Sequence, residues 1–429
     1  MRKHRILSLF ALLVAAAALI AAGCGGDEEA GEETNGTGAE EAETAGPLGT
    51  VEVPAGETIK IASLQAISGE TASLGTDQVR AIEIAIADFG EIAGHGVDLQ
   101  SEDELCSAEG GTTGMQRVVA DPQVVGVIGT SCSGAGVPAS EIMSEAGLVM
   151  ISGSNTSPAL TSDLEGTEGT AFNPGYLRVA HNDIVQGQAA AEFAFNELNV
   201  TKVATIHDGD PYTEGLANAM GNSFTELGGE VVLATAVNKE DTDMRPVLTE
   251  VAASGAELVF FPIFQPAGDF VARQAKEIQG LSAAILMGAD GLLSDTFISI
   301  PATEGMYFSG PASPIGGAYD ELVQKYEEEY GEAPIQSFHA HSYDAVTLLL
   351  TTIQEVAEDR DGTLVIDRQA LRDALYAIEG YEGITGTLTC DEFGDCADPK
   401  IDILQNTEEQ ETLTDVRQNV LFTFEPEES

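Results

Sequence analysis

Basic residues are scarce in this sequence, and tryptophan is absent. Lysine and arginine together number 18 among 429 residues, against 71 aspartates and glutamates, which gives a formal net charge of -53. So little positive charge excludes a nucleic-acid-binding protein that works by neutralising phosphates. It also argues against attachment to anionic lipid through a basic patch. The acidic excess indicates a well-solvated protein surface rather than an acidic recognition site.

Motifs of common enzyme and metal-site classes are also missing. There is no GxSxG, HExxH or P-loop, and no GxGxxG follows a predicted strand. Residues 129–134 (GTSCSG) superficially resemble a nucleophile loop, but no histidine is positioned by sequence to activate Ser131 or Ser133. The cysteines form no CxxC pair, which argues against zinc. We therefore expect no catalysis, no cofactor and no metal ion.

Long apolar runs are absent after the N-terminal segment. No later part of the sequence contains 18 consecutive apolar residues. Arg2, Lys3 and Arg5 precede an uncharged run over 6–22. A basic start followed by a short apolar stretch that ends in small residues is the pattern of a secretory signal. The run is marginal for a membrane-spanning helix, so we predict an exported protein.

The end of this run resembles a bacterial lipobox, Ala-Ala-Gly-Cys, with Cys24 as the lipidated residue. Leucine is more usual than Ala21 three residues before that cysteine. The following segment is acidic and has almost no apolar residues, so it cannot form a core. We predict a lipoprotein signal peptide over 1–23, an acidic flexible tether over 24–57, and attachment to the membrane through the lipid.

Four cysteines remain once Cys24 is lipidated, and export places them in an oxidising compartment. They allow three pairings. We favour Cys106 with Cys132, between two neighbouring strand-end loops, and Cys390 with Cys396, across a tight turn. A zinc site is the less favoured alternative.

Short apolar strands alternate with amphipathic helices along most of the chain, which favours doubly wound parallel sheets. The first set has strands over 59–64, 97–101, 124–128 and 148–151, with helices over 76–93, 115–120 and 133–147. The second set has helices over 184–198, 213–227, 244–254 and 267–279, and strands over 202–206, 231–236, 257–263, 283–287 and 305–309. Helices over 319–330, 342–358 and 367–378 and β segments over 386–388, 400–404 and 420–424 follow. Two similar α/β lobes of this kind are typical of a hinged clamp that closes on a ligand.

Hydroxyls and glycines follow two neighbouring strands of the first set. Ser133 comes shortly after the strand over 124–128, and residues 152–157 follow the strand over 148–151. Ligands of open α/β sheets bind at the carboxyl ends of strands, where helix N-termini offer free N–H groups and a positive dipole end. The same residue types are also ordinary caps and turn formers. With that alternative open, the two loops predict a cradle for a small anion such as a carboxylate.

The chain from 59 to 424 resembles the type I periplasmic solute-binding proteins of ABC transporters, in their leucine/isoleucine/valine-binding branch. The resemblance is carried by several blocks in the expected order. These are Ser68-Gly69 with Gly75, Cys106, Ile128-Gly129-x-x-Cys132-Ser133 with Pro138-Ala139-Ser140, Met150-Ile-Ser-x-x-x-Thr156-x-Pro158-x-Leu160-Thr161, His207-Asp208-x-x-x-Tyr212-x-x-Gly215, and Gly288-x-Asp290-Gly291.

This resemblance implies an α/β fold of two Rossmann-like lobes, a Venus flytrap, joined by a three-segment hinge. It places the N-terminal lobe over 58–181 plus 311–404 and the C-terminal lobe over 182–310 plus 405–429. The chain would cross between lobes near His181, near Gly310 and within the strand around Leu404. The family disulfide also matches Cys106 with Cys132, whereas Cys390 with Cys396 has no counterpart that we can transfer.

The resemblance also implies roles for eight site residues. Ser133, Ser154 and Thr156 match positions that hold an amino acid's α-carboxylate, and Asp290 matches an acidic residue that takes the α-ammonium. Tyr212 matches a tyrosine that closes over the ligand, and Phe264 and Leu74 match the lining of the side-chain pocket. Asn155 stands where well-known members have a small residue, so it bears on the shape of the pocket.

The implied function is an extracytoplasmic substrate-binding protein of an ABC importer, lipid-anchored and acting as a monomer. It would capture a branched-chain or other small apolar amino acid and deliver it to a membrane permease, because Phe264 and Leu74 offer no polar partner. An amide, a urea or an aromatic acid is the alternative ligand. A sensory receptor that uses the same clamp is the alternative role.

Overall fold

The computed structural model describes residues 46–426. The predicted signal peptide, Cys24 and most of the predicted tether lie outside the described residues. Within residues 46–426, no helix is both long enough and apolar enough to cross a membrane.

The described chain alternates strands with helices, as the sequence predicts. In chain order the strands are β1 (Thr50–Val53), β2 (Ile59–Gln65), β3 (Val97–Asp103), β4 (Val124–Gly129), β5 (Met150–Ser152), β6 (Tyr176–Arg178), β7 (Lys202–His207), β8 (Glu230–Ala236), β9 (Leu258–Phe260), β10 (Ile285–Ala289), β11 (Tyr307–Pro311), β12 (Glu358–Arg360), β13 (Thr363–Asp367), β14 (Tyr381–Glu382), β15 (Thr387–Leu388), β16 (Ile401–Gln405) and β17 (Val420–Phe424). The α-helices are α1 (Ala72–Phe89), α2 (Ala108–Val119), α3 (Ser133–Glu145), α4 (Asp183–Glu192), α5 (Pro211–Glu226), α6 (Arg245–Ser254), α7 (Ala267–Ala275), α8 (Asp295–Ile298), α9 (Gly317–Tyr330), α10 (His339–Val356), α11 (Arg368–Tyr376) and α12 (Leu413–Gln418).

A five-stranded parallel sheet in the order β3-β2-β4-β5-β6 is the centre of the first lobe. Its inner strands are continuous apolar runs because helices cover both faces, and every residue of β4 is buried. Helix α10 packs along α1, and its Leu348, Leu349 and Ile353 side chains are fully buried. Each such side chain contributes about 1.5–3 kcal/mol relative to exposure.

A seven-stranded sheet in the order β17-β16-β11-β10-β9-β7-β8 is the centre of the second lobe. The strands from β8 to β11 are parallel, and β16 and β17 add an antiparallel edge. The predicted fold class, two parallel-sheet lobes joined by three crossings, is confirmed.

The third crossing lies earlier than predicted. Strand β16 pairs with β11 from its first residue, Ile401 opposite Pro311, to Gln405 opposite Tyr307. Residues 401–404 therefore belong to the second sheet, although the predicted boundary puts them in the first lobe. The remaining boundaries of the two lobes stay predictions.

A small antiparallel sheet in the order β1-β13-β12 was not predicted. Val51 and Val53 of β1 are buried against the core of the first lobe. The predicted tether over 24–57 is therefore wrong in its last part, because apolar residues alternating at 51 and 53 pair with β13. The predicted helix over 342–358 likewise ends at Val356, before β12 begins.

Both predicted disulfides form. Cys106 pairs with Cys132, and Cys390 pairs with Cys396. The first joins the loop after β3 to the residue that caps α3. The second closes the turn that follows β15.

Candidate functional site

A cavity lies between the two lobes and is lined by residues from both. Six of the eight predicted site residues line it: Leu74, Ser133, Ser154, Tyr212, Phe264 and Asp290. The first three belong to α1, to the first turn of α3 and to the loop after β5. The other three belong to α5 and to the loops that follow β9 and β10.

The first turn of α3 forms part of the wall of this cavity. The helix begins at Ser133, and its N-cap, Cys132, makes no side-chain cap hydrogen bond. Ser133 Oγ accepts a hydrogen bond from the backbone N–H of Ser157 at 3.3 Å, and no described residue accepts its hydroxyl proton. A free hydroxyl donor at the positive end of a helix dipole suits a carboxylate.

Ser154 has a different hydrogen-bonding state. Its hydroxyl lies 3.1 Å from Gln78 Oε1 and 2.9 Å from the backbone carbonyl of Ser131, so its one proton already has protein acceptors. Its oxygen lone pairs remain. Ser154 therefore shapes the cavity wall, and donation to a ligand would require its hydroxyl to rotate.

Asp290 is the buried acidic residue that lines the cavity, and two side chains donate hydrogen bonds to it. Gln186 Nε2 donates to Asp290 Oδ1 at 2.7 Å, and the Tyr212 hydroxyl donates to the same oxygen at 3.2 Å. No side chain among the described residues donates to the second oxygen, Oδ2. Burial raises the pKa of Asp290 to about 6, although both hydrogen bonds partly offset this effect. A cation beside Oδ2 would compensate for the buried charge.

Gln186 was missed by sequence reasoning, although it holds Asp290 in place. Its Nε2 also contacts Ser309, and its Oε1 lies 2.6 Å from His181 Nε2. The only sequence signal is a polar residue on an otherwise apolar helix face. The helix itself departs from the prediction over 184–198, because α4 ends at Glu192 and continues as a π-helix over Phe193–Glu197.

Aromatic and aliphatic side chains make the apolar part of the cavity. Tyr212 and Phe264 pack with ring centroids 5.1 Å apart. Leu74 and Phe338 line the same space. Tyr212 is placed by the start of α5, where Asp210 is the N-cap and accepts the Tyr212 backbone N–H at 2.9 Å. This part of the wall favours a ligand with an apolar portion.

Asn155 and Thr156 are not among the residues that line the cavity. Asn155 is fully buried and bonded within the protein, with Nδ2 donating to the Thr130 carbonyl at 2.8 Å. Its Oδ1 accepts from the Thr130 hydroxyl at 3.0 Å and from the Tyr176 hydroxyl at 3.1 Å. Thr156 is 1% exposed. Their roles towards a ligand therefore stay predictions.

Several other residues line the cavity without having been predicted. They are Glu70, Thr71, Ser73, Ser131, Gln265, Gly291, Ser294, Gln336 and Phe338. They come from five separate parts of the chain, and no motif links them. Over residues 46–426, no group of three or more histidines, cysteines or carboxylates is arranged to hold a metal ion.

Comparison with known proteins gives one family match. The family described as "Periplasmic binding protein" matches residues 58–394. An "Amino acid binding protein" of Pseudomonas aeruginosa is 31% identical over 280 residues, which cover 65% of this chain and 70% of that protein. A "Leu/Ile/Val-binding protein homolog 3" of Brucella melitensis is 28% identical over 355 residues, which cover 81% of this chain and 91% of the relative.

Solved structures show the same fold. A leucine binding protein from Thermotoga maritima superimposes with a TM-score of 0.73 at 23% identity, over 86% of this chain and 99% of that one. A solute binding protein from R. palustris in complex with benzoate superimposes with a TM-score of 0.67 at 19% identity, over 82% of this chain and 94% of that one. At these identities the likeness extends to architecture and not to ligand.

Proposed function

The chain belongs to the family of periplasmic binding proteins, and we propose that it captures a small α-amino acid in the cavity between its lobes. It would do so outside the cytoplasm and deliver the ligand to the membrane permease of an ABC importer. A binding protein of this kind carries out no catalysis and needs no cofactor. We propose that it works as a monomer.

The observation that supports an amino acid is the pairing of two complementary groups in one cavity. Ser133, in the first turn of α3, offers a hydroxyl donor, and Asp290 offers a carboxylate oxygen, Oδ2, to which no other described residue donates. A buried zwitterion must have both charges paired. Charge-assisted hydrogen bonds contribute on the order of 1.5–3 kcal/mol each. In this proposal Ser133, with Ser154 and Thr156, takes the carboxylate and Asp290 takes the ammonium.

A branched-chain or other small apolar side chain fits the remaining wall, where Leu74, Phe264 and Phe338 lie. The names of the Brucella relatives support this ligand class. An aromatic acid without an ammonium group is less suitable, because its carboxylate would leave Asp290 unpaired. Asn155 would influence the ligand only through the shape of the loop after β5.

The experiment is a thermal-shift screen of purified protein against amino acids, amides and small aromatic acids, with calorimetry on each ligand that gives a shift. A ligand at about 100 times its dissociation constant adds roughly 2.7 kcal/mol to the free energy of unfolding. We expect shifts with small amino acids and none with benzoate. No shift with any amino acid would exclude the proposal, and a shift with benzoate alone would favour the alternative.

Attachment through a lipid on Cys24 is a separate part of the proposal, supported by the lipobox-like sequence before it. In cells that process bacterial lipoproteins, we expect the chain in the membrane fraction and a Cys24→Ala variant in the soluble extracytoplasmic fraction. Equal distribution of the two would contradict lipid anchoring. Delivery to a permease, as opposed to sensory signalling, is tested by uptake of the labelled ligand after the gene is deleted.

A further inference from the structure

Gln336 is a largely buried residue whose side-chain acceptor is accessible from the cavity. The residue lies just before α10 and is only 5% exposed. Its Nε2 donates to Ser73 Oγ at 3.0 Å, and its backbone carbonyl lies 2.9 Å from His339 Nδ1. Oε1 of Gln336 has no hydrogen-bond partner among residues 46–426. The side chain is therefore held in place with its acceptor unused.

Negative charge dominates the remainder of the cavity and the space beside it. Glu70 lines the cavity and makes no hydrogen bond or ion pair with any described residue. It also lines an adjoining pocket, together with Asp208, Asp210 and Glu240, where Lys239 is the one basic side chain among the lining residues. No lysine, arginine or histidine of the described chain lines the cavity itself.

We propose that the cavity selects its ligand by the chemistry of the side-chain end: Gln336 accepts a hydrogen bond from a hydroxyl or amide, and Glu70 excludes an anionic end. The inference rests on the proposed amino-acid site, and within that site it shifts the preferred ligand from a purely apolar side chain to a small one that ends in a hydrogen-bond donor. Small amino acids that end in a donor, such as threonine and asparagine, then bind more tightly than valine and leucine, which have nearly the same shape. Aspartate is rejected.

Two physical effects produce this order. A fully apolar ligand that displaces water from Gln336 leaves a buried acceptor unpaired, whereas a hydroxyl or amide donor satisfies it. A carboxylate at the side-chain end of the ligand would be repelled by Glu70, and no lysine, arginine or histidine of the described residues lines the cavity to offset that repulsion. Leu74, Phe264 and Phe338 pack against the aliphatic part of either kind of ligand, so they do not distinguish the members of an isosteric pair.

Isothermal titration calorimetry with isosteric ligands tests the inference. We expect asparagine to bind roughly fivefold more tightly than leucine, and threonine roughly fivefold more tightly than valine. Aspartate should bind at least about 100-fold more weakly than asparagine. Leucine and valine binding as tightly as their polar isosteres would overturn the role of Gln336. Binding of aspartate and asparagine with equal affinity would overturn the role of Glu70.

Variants assign each effect to its residue. Gln336→Leu is expected to abolish the advantage of asparagine over leucine, and Gln336→Glu, which keeps an acceptor, is expected to retain it. Glu70→Gln is expected to narrow the gap between asparagine and aspartate by about tenfold. Glu250→Gln removes an exposed charge in α6 and should leave that gap unchanged. An unchanged ligand order in both Gln336→Leu and Glu70→Gln would overturn the inference.

These outcomes remain separate from failure of the proposed function. If no amino acid binds at all, the amino-acid site itself is wrong. If leucine and valine bind but their polar isosteres bind no better, the site stands and only the selection by Gln336 is wrong. The wild-type ligand series decides this even where a variant at Gln336 fails to fold.

Discussion

The carboxylate of Asp210 lies directly against Gly134, although the two residues belong to different lobes. A Cβ atom at Gly134 would lie 2.2 Å from Asp210 Oδ2. The backbone N–H groups of Tyr212 and Gly134 both lower the pKa of Asp210, but burial outweighs them and raises it to about 6. One carboxylate thus contacts the first turns of α5 and α3. Ser157 Oγ, which donates to the Pro211 carbonyl at 2.9 Å, makes a second contact between the lobes.

This contact predicts the effect of Gly134→Ala. The added methyl group would collide with Asp210 when the lobes approach, so the closed arrangement becomes unfavourable. The same substitution should stabilise helix α3 itself, because alanine in a helix is more favourable than glycine by about 1 kcal/mol. We expect at least a tenfold loss of ligand affinity by calorimetry, with no loss in the free energy of unfolding by urea titration.

Gly317→Ala is the matched control, since Gly317 also lies in a helix and no atom stands within 4 Å of the position of its Cβ. It should leave affinity unchanged. The double variant Gly134→Ala with Asp210→Ala restores space and should recover part of the affinity. Full affinity in the single Gly134→Ala variant would contradict the importance of this contact.

Asp290→Ala tests the ammonium site. It removes the one acidic side chain that lines the cavity close to Tyr212 and Gln186, so an ammonium group would be buried without its counter-charge. We expect affinity for any amino acid to fall at least about 100-fold, in keeping with charge-assisted bonds. Circular dichroism should show an unchanged fold. Asp320→Ala, at an exposed site on α9, is the control, and equal affinities of the two variants would exclude the assignment.

Ligand affinity should depend on pH through Asp290. Its pKa is about 6 in the empty cavity, and only the ionised carboxylate pairs with an ammonium. Affinity should therefore be constant above pH 7 and fall about tenfold by pH 5. Calorimetry from pH 5 to 8 measures this. The pKa of Asp210 is also about 6. An Asp210→Asn variant therefore tells the two carboxylates apart, and its ligand affinity should still fall about tenfold by pH 5.

The raised pKa of Asp290 affects the free energy of unfolding of the protein without ligand in the opposite direction. Between about pH 4 and 6 the folded state keeps a proton on Asp290 that the unfolded chain has released, so this group makes the protein less stable as the pH rises. Asp290→Asn removes the effect and should raise the free energy of unfolding by about 3 kcal/mol at pH 8, and by little at pH 4. If Asp290→Asn stabilised the protein equally at pH 4 and pH 8, this would contradict the raised pKa of Asp290.

The two disulfides should differ in their effect on binding. Cys106–Cys132 closes 26 residues and Cys390–Cys396 closes 6. Loop-closure entropy then gives about 3.5 and about 2 kcal/mol, respectively. Replacing both cysteines of the first pair by alanine should also weaken ligand binding, because Cys132 precedes Ser133 at the start of α3. The second pair is the control, and its replacement should lower stability in urea without changing affinity.

Asn155→Ala should damage the fold before it affects ligand specificity. The substitution removes the hydrogen bonds of Asn155 with the Thr130 carbonyl, the Thr130 hydroxyl and the Tyr176 hydroxyl. The Thr130 carbonyl keeps Ser152 Oγ, and the Thr130 hydroxyl keeps the Cys132 carbonyl. We expect the free energy of unfolding to fall by about 2–4 kcal/mol. Ser133→Ala is the comparison and should lower affinity with little loss of stability. A change of ligand preference in Asn155→Ala at unchanged stability would place Asn155 in the ligand site after all.

The two parallel-sheet lobes and the strand-end loops could be predicted from the sequence, because they follow from patterns within short stretches. For the disulfides, the sequence favoured the observed pairing among three possible ones. Apolar runs and helical periodicity are local, and the strand-end position of Ser133 and Asp290 could be read from them. Which polar groups meet, in contrast, depends on how distant parts of the chain pack. Gln186 beneath Asp290, the unused acceptor of Gln336, the internal bonding of Asn155 and the pairing of β1 with β13 all depend on contacts between distant parts of the chain. No local pattern encodes such contacts, since they arise when separately formed elements pack together.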